Sequence, residues 1–212
     1  MKLRNDIDDF LKSIPNNVMV VAATKYVDSI AMRDLFKAGV TNFGENRVNT
    51  FLEHKSQLKD LPITWHFIGH LQKNKANLIV NEIDYLHSLD SIALAKILNE
   101  KRSTPLKCFI EVSINEEENK NGVFVNEIDS FIESIIPLKN IELVGLMMMA
   151  IKNSSHDDLL KQFNSLYELK NNLEKKYNIS LPYLSMGMSD DYKEAIECHS
   201  THIRLGRILW TM

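Results

Sequence analysis

Short apolar, β-branched runs alternate with helix-length runs along this chain, and that alternation leaves few folds open. Residues 2–13 read as a short charged helix, with Ile7, Phe10, Leu11 and Ile14 as its apolar stripe and Pro15 at its end. Strand-like runs follow at 18–24, 40–43, 63–68, 83–87, 107–114, 141–149, 182–185 and 202–205. Between them lie helix-like runs from Asp28 or Ser29 to Ala38, from Gly44 to about Lys59, from the Gly69–Gln72 turn to Val80, and from Asp90 or Ser91 to about Lys101. The last three run over 125–136, 156–177 and 190–198. Eight strands separated by seven helices mean βαβ units and a parallel sheet, and eight such units close most economically into a (β/α)8 TIM barrel. The helix at 2–13 would cover the gap left by the absent eighth helix. An open doubly wound sheet is the alternative, but no Gly-x-Gly-x-x-Gly follows the first strand.

At 212 residues and 44% hydrophobic, the chain supports one sizeable core, so a single domain over 1–212 is expected. Its net charge of −3, with both signs interspersed, gives no reason to expect nucleic acid or an acidic membrane as a partner. Cys108 and Cys198 lie far apart, which fits a reducing compartment better than a disulfide framework. The first residues are charged rather than apolar, and no apolar run approaches membrane-spanning length. A cytoplasmic protein is expected.

Barrel active sites lie at the C-terminal ends of the strands. That rim would carry Lys25, Glu45 and Asn46, then His66, Gly69 and His70, then Ser88 and Asp90, and Asn115. Met147 to Met149, Ser185 to Ser189 and Arg204 to Arg207 complete it. Lys25 closes the apolar run Val18 to Thr24. It either solvates the strand end or points into a partly dry cavity, where its pKa falls and the neutral amine can attack an aldehyde. Ser185-Met186-Gly187-Met188-Ser189-Asp190-Asp191 and Arg204-Leu205-Gly206-Arg207 end the last two strands, where barrels commonly bind phosphate. Ser189 could instead cap a helix, and Arg204 could pair with a carboxylate. Together with Lys25 across the mouth, these segments suggest a phosphorylated aldehyde as ligand.

Other features are plainer. His66, His70 and His87 could suggest a metal, but no His-x-His stands on the first strand, so structural roles and no metal are expected. Met147 to Met149 would alternate between core and cavity, with soft contacts to a ring. Glu116 to Glu118 reads as a solvated loop, and 156–177 as amphipathic cover.

The segments Ala22-Ala23-Thr24-Lys25, Phe43-Gly44-Glu45-Asn46-Arg47-Val48, Trp65 to Lys75 and His87-Ser88-Leu89-Asp90 carry a more specific signal. With Gly145 to Ala150, Leu184 to Asp191 and Arg204-Leu205-Gly206, the chain from about residue 18 onward resembles the pyridoxal phosphate homeostasis protein family. The resemblance implies the barrel of the alanine racemase N-terminal domain with pyridoxal 5′-phosphate as cofactor, and Lys25 as its Schiff-base lysine. It further implies Ser185, Gly206 and the Arg207 amide at the phosphate, with Ser189 a weaker candidate, and Arg204 near the pyridine nitrogen. Asn46, His66 and Met147 would line the ring pocket. The family usually shows Ser before the lysine and Lys-Pro after it, where this chain has Thr24 and Tyr26-Val27. Arg207 stands where a small hydroxyl residue is usual, so its side chain would either add a phosphate contact or crowd the site.

The function this implies is intracellular pyridoxal phosphate homeostasis: a non-catalytic carrier or buffer holding the cofactor as an internal aldimine. Expected partners are the cofactor and the apoenzymes that would receive it, and a monomer is expected. The alternative is a racemase-like enzyme, which needs a base on each face of the substrate α-carbon.

Overall fold

Eight parallel strands form the centre of the fold: β1 (Met19–Ala23), β2 (Asn42–Glu45), β3 (Thr64–Phe67), β4 (Tyr85–Leu89), β5 (Leu106–Ser113), β6 (Ile141–Met147), β7 (Tyr183–Ser185) and β8 (His202–Leu205). They pair in the order β4-β3-β2-β1-β8-β7-β6-β5, and a further β4–β5 pairing closes the ring. The closed barrel is the architecture expected from the alternation. This computed structural model describes residues 1–114 and 121–211; Asn115 and Glu116 to Glu118 lie outside the described residues.

The helices are α1 (Ile7–Lys12), α2 (Ser29–Lys37), α3 (Val48–Gln57), α4 (Ala76–Ile79), α5 (Ile92–Lys101), α6 (Ile128–Ile135), α7 (His156–Tyr177) and α8 (Tyr192–Glu197). Three begin on the cap the sequence offers: Asp28 accepts from the Ala31 amide, Ser91 from Leu94, and Ser155 from Asp158. Gly39, at φ 99°, ends α2 in the left-handed region that glycine enters without steric cost.

Several boundaries differ from expectation. Lys2–Leu3 does not join the first helix but pairs antiparallel with Trp210–Thr211. Asn42–Glu45 continues as strand where a helix was expected to open, so α3 starts at Val48. The short strand Val123–Phe124 extends beside Val112–Ser113, in a stretch whose polar composition reads as loop up to Gly122. The N-terminal segment does bridge the missing helix. Lys2–Leu3 touches α2, and the Phe10 ring meets Tyr192 of α8 at 6.0 Å.

The apolar residues form two groups. The larger lies between strands and helices, and includes Met32, Leu35, Phe51, Ile79, Leu98, Ile132 and Phe163, all at 0% exposure. The smaller, Tyr85, Phe109, Val144 and Met147 with Tyr183 against them, fills the barrel itself. Tyr85 stacks on His66 at 4.5 Å, and Phe109 meets His87 at 4.4 Å and His202 at 5.1 Å. Gly145 lets β6 and β7 approach beside this group, because a Cβ there would lie 2.0 Å from the Tyr183 carbonyl oxygen. Gly145→Ala must push two barrel strands apart. It is expected to destabilise the fold by about 2–3 kcal/mol, read as a lowered midpoint in urea denaturation with unchanged slope.

Candidate cofactor site

The expected rim residues divide into two sets. Lys25, Ser189, Arg204, Gly206 and Arg207 line one cavity of about 580 Å³ at the C-terminal ends of the strands. Asn46, His66, Met147 and Ser185 do not line it.

Lys25 stands two residues past β1, in a turn, and its side chain is exposed. The ammonium lies over the Tyr26 ring, 4.8 Å from its centroid. Of the two placements open to Lys25 the structure shows the solvated one: β1 ends at Ala23, and the lysine follows in an exposed turn. The residue before it is held firmly. Thr24 is fully buried and its hydroxyl donates to Glu45 Oε1, which also lies 2.8 Å from His54 Nδ1 of α3. Glu45, placed on the open rim by sequence, is thus buried behind it.

At the other pole the hydroxyl of Ser189 accepts the Gly206 amide at 3.2 Å and the Ile208 amide at 3.5 Å. Ser189 does not cap α8, whose N-cap position is Asp191. The Asp191 carboxylate instead accepts the Met188 amide, which fixes the turn that presents Ser189. Arg207 is exposed and paired with Asp190, so its guanidinium is drawn along the rim.

Ser185 lies deeper than the rim. It is fully buried, with its hydroxyl 2.8 Å from His87 Nδ1 and accepting from Arg204 Nη1 at 2.7 Å. The serine that reaches the cavity at the last two strand ends is Ser189. His66 and Met147 are likewise buried in the barrel beneath the cavity, and Asn46 is half-buried beside Gly69. A Cβ on Gly69 would lie 2.2 Å from the Asn46 carbonyl oxygen, so the β2 and β3 ends meet through backbone.

Arg204 makes no ion pair among the described residues. Nη1 donates to the Ser185 carbonyl at 2.8 Å as well as to its hydroxyl, and Nη2 donates to the Met148 carbonyl at 3.0 Å. Burial pushes its pKa down to about 10, against the opposing pull of Glu111 and Asp191. Burial also holds His66 and His87 well below the ordinary imidazole range and lowers His202 to about 4. His70 pairs with Asp90 at 2.9 Å, and His66 and His87 bond each other, so these histidines are engaged as structural groups.

Glu111 was overlooked by sequence reasoning. Its signal was a lone carboxylate inside the apolar run Cys108 to Val112. It is 5% exposed, and burial, then Asp90, push its pKa up to about 7, with Arg204 and His70 opposing. Its ordinary value is 4.5. Between about 4.5 and 7 the folded state holds a proton that the unfolded chain has released, so stability falls as pH rises through that window and levels off above it. Glu111→Gln should shrink the loss of stability between pH ~5 and ~7.5 by about 2 kcal/mol in urea denaturation.

Residues 2–212 match the family described as alanine racemase, N-terminal domain. The pyridoxal phosphate homeostasis protein of Aquifex aeolicus is 36% identical over 198 residues, covering 92% of this chain and 87% of the relative. That of Escherichia coli strain K12 is 30% identical over 205 residues, covering 92% and 86%. The structure of PipY from Synechococcus elongatus PCC7942, solved with pyridoxal phosphate bound, has a TM-score of 0.91 at 29% identity, over 97% of this chain and 100% of PipY. Alanine racemase from Corynebacterium glutamicum, at a TM-score of 0.75 and 16% identity over 97% and 59% of the two chains, shares the fold. With relatives of this identity matched along nearly their whole length, the chain belongs to the pyridoxal phosphate homeostasis protein family.

Proposed function

We propose that this protein binds pyridoxal 5′-phosphate in intracellular cofactor homeostasis, as a carrier or buffer attached through Lys25. The observation that carries the reading is the convergence of Lys25, Ser189 with the Gly206 amide, and Arg204 on a single cavity, in a chain whose relatives bear that name. The residues fit such a ligand. Amide and hydroxyl donors suit a phosphate, a guanidinium without a carboxylate partner suits a ring acceptor, and an amine stands at the open side. When bound, pyridoxal phosphate supplies an aldehyde that condenses with an amine.

The protein's own residues divide the work. Ser189 and the Gly206–Ile208 backbone hold the anionic end. Arg204, fixed by three neutral oxygens, orients the ring and donates toward its nitrogen. Thr24, locked to Glu45, sets the turn from which Lys25 reaches over. The exposure of Lys25 supports capture and release rather than turnover, since water or an incoming amine can reach the attachment point. The same reading places the protein in the cytoplasm, acting as a monomer and passing the cofactor to apoenzymes. No described helix is long and apolar enough to cross a membrane.

Two variants test it. The wild type should gain an absorbance band with pyridoxal phosphate that borohydride abolishes, with the mass shift mapping to Lys25, and Lys25→Ala should lose it; adducts scattered over surface lysines would sink the reading. Ser189→Ala should weaken binding about 5- to 10-fold, the loss of one hydrogen bond to a charged group. Amino-acid racemisation by the loaded protein above the rate of free cofactor would overturn the carrier assignment.

A further inference from the structure

Behind Arg204 a chain of hydrogen bonds crosses the barrel, and once the Asn42 amide presents its oxygen to His66, elementary valence sets the direction of the rest. Asn42 on β2 presents Oδ1 to His66 Nε2 at 3.0 Å, while its Nδ2 donates to Thr41 Oγ1 at 3.3 Å. An amide oxygen only accepts, so His66 carries its hydrogen on Nε2. A neutral imidazole has one N–H, so His66 Nδ1 is bare and accepts from His87 Nε2 at 2.9 Å. His87 Nδ1 is bare in turn and accepts the hydroxyl hydrogen of Ser185 at 2.8 Å. Ser185 Oγ is left with lone pairs alone, and it accepts from Arg204 Nη1 at 2.7 Å. Reversing His66 sets acceptor against acceptor at Asn42, and reversing His87 alone sets two bare ring nitrogens against each other between the imidazoles.

We propose that Asn42, His66, His87 and Ser185 form a one-way hydrogen-bond relay, both histidines being neutral and protonated on Nε2, that positions the Arg204 guanidinium at the cavity and tunes what it presents to a bound pyridine ring. The tautomers rest on this structure alone; the effect on a ring rests on the cofactor reading above. Three observations support the relay. His66 and His87 are both at 0% exposure and burial disfavours their charged forms, an effect reinforced at His66 by His202, and at His87 by His66, His202 and Arg204. Tyr85 stacked on His66 and Phe109 against His87 wall the relay from water. Every acceptor of Arg204 is neutral, so the relay holds the guanidinium without cancelling its charge at close range. Committing the Ser185 hydrogen to His87 is what makes Ser185 an acceptor, and an acceptor there selects a guanidinium donor. These four are positioning residues, since none of them touches the cavity.

The cofactor-free protein gives the first test. Long-range ¹H–¹⁵N spectra of labelled histidine should show His66 and His87 as neutral Nε2–H tautomers at neutral pH; an imidazolium or an Nδ1–H tautomer at either residue overturns the relay. The second test separates its two halves. His87→Asn keeps an acceptor where Nδ1 faces Ser185, whereas His87→Gln keeps a donor where Nε2 faces His66. In titrations with pyridoxal phosphate, His87→Gln should raise the dissociation constant about 5-fold more than His87→Asn and shift the absorption band further. Equal losses in the two variants, tracking their thermal stabilities, would reduce His87 to packing and overturn the proposal. A wild type that forms no adduct on Lys25 would instead remove the cofactor reading, and the tuning claim with it, whatever the tautomer spectra show.

Discussion

The parallel register between β1 and β8 is the constraint on which the site depends. Val21 pairs with Arg204 and Ala22 with Leu205, so the chain leaving β1 at Lys25 and the chain leaving β8 at Gly206 emerge side by side. Nearly the whole sequence separates these strands, which makes theirs the pairing with the greatest loop-closure cost in the barrel. The seam is reinforced locally. Lys2–Leu3 pairs with Trp210–Thr211, the Arg4 amide donates to the Leu209 carbonyl, and the Arg4 guanidinium reaches the Ile208 carbonyl at 3.1 Å. The segment that reads as the start of a helix thus spans the seam and backs the Gly206–Ile208 turn that meets Ser189.

A barrel interior is ordinarily filled by branched aliphatic side chains in layers. Here the centre holds three imidazoles among Tyr85, Phe109 and Tyr183, and the aliphatic bulk lies outside the strands. Buried polar groups must find partners, and most here do; among the described residues Glu45 Oε2, His202 Nε2 and Trp210 Nε1 are buried without one. Such an interior is less forgiving than an aliphatic one, because each polar group constrains the orientation of the next. The corresponding gain is definition: a guanidinium in a greasy pocket could settle in several rotamers, whereas one held by two carbonyls and a committed hydroxyl cannot.

The alternation of strand and helix was legible because period and length report directly on local structure. Lys25 was legible as the end of an apolar run, and the last two strand ends as segments that reach the same rim. What was not legible depends on side-chain parity and on register between distant strands. Ser185 and Ser189 are four residues apart, yet one faces the barrel interior and the other the cavity, because β7 ends at Ser185 and the turn at Gly187, φ 94°, redirects the chain. The helix expected from Gly44 failed for a related reason: Gly44 and Glu45 complete the β2 ladder with His66 and Phe67, and tertiary pairing overrides a local capping pattern. Asp190 and Arg207 give no sign in the sequence that they will meet. Their pairing follows from two loops brought together only by the closed barrel.

The two sides of the cavity use opposite dielectrics. Arg204 is buried, its three hydrogen bonds directed by rigid strands, so electrostatic interactions on that wall are strong and reorganise little. Lys25 is exposed on a turn, where its amine is open to solvent. A catalyst that must exclude water from a reacting carbon would be poorly served by such a lysine, whereas a reversible holder needs an attachment point that solvent can reach. On the proposed function, then, affinity comes from the buried wall and exchange from the open one. On that proposal, the structural asymmetry between Arg204 and Lys25, more than any single contact, is what suits the barrel to a carrier.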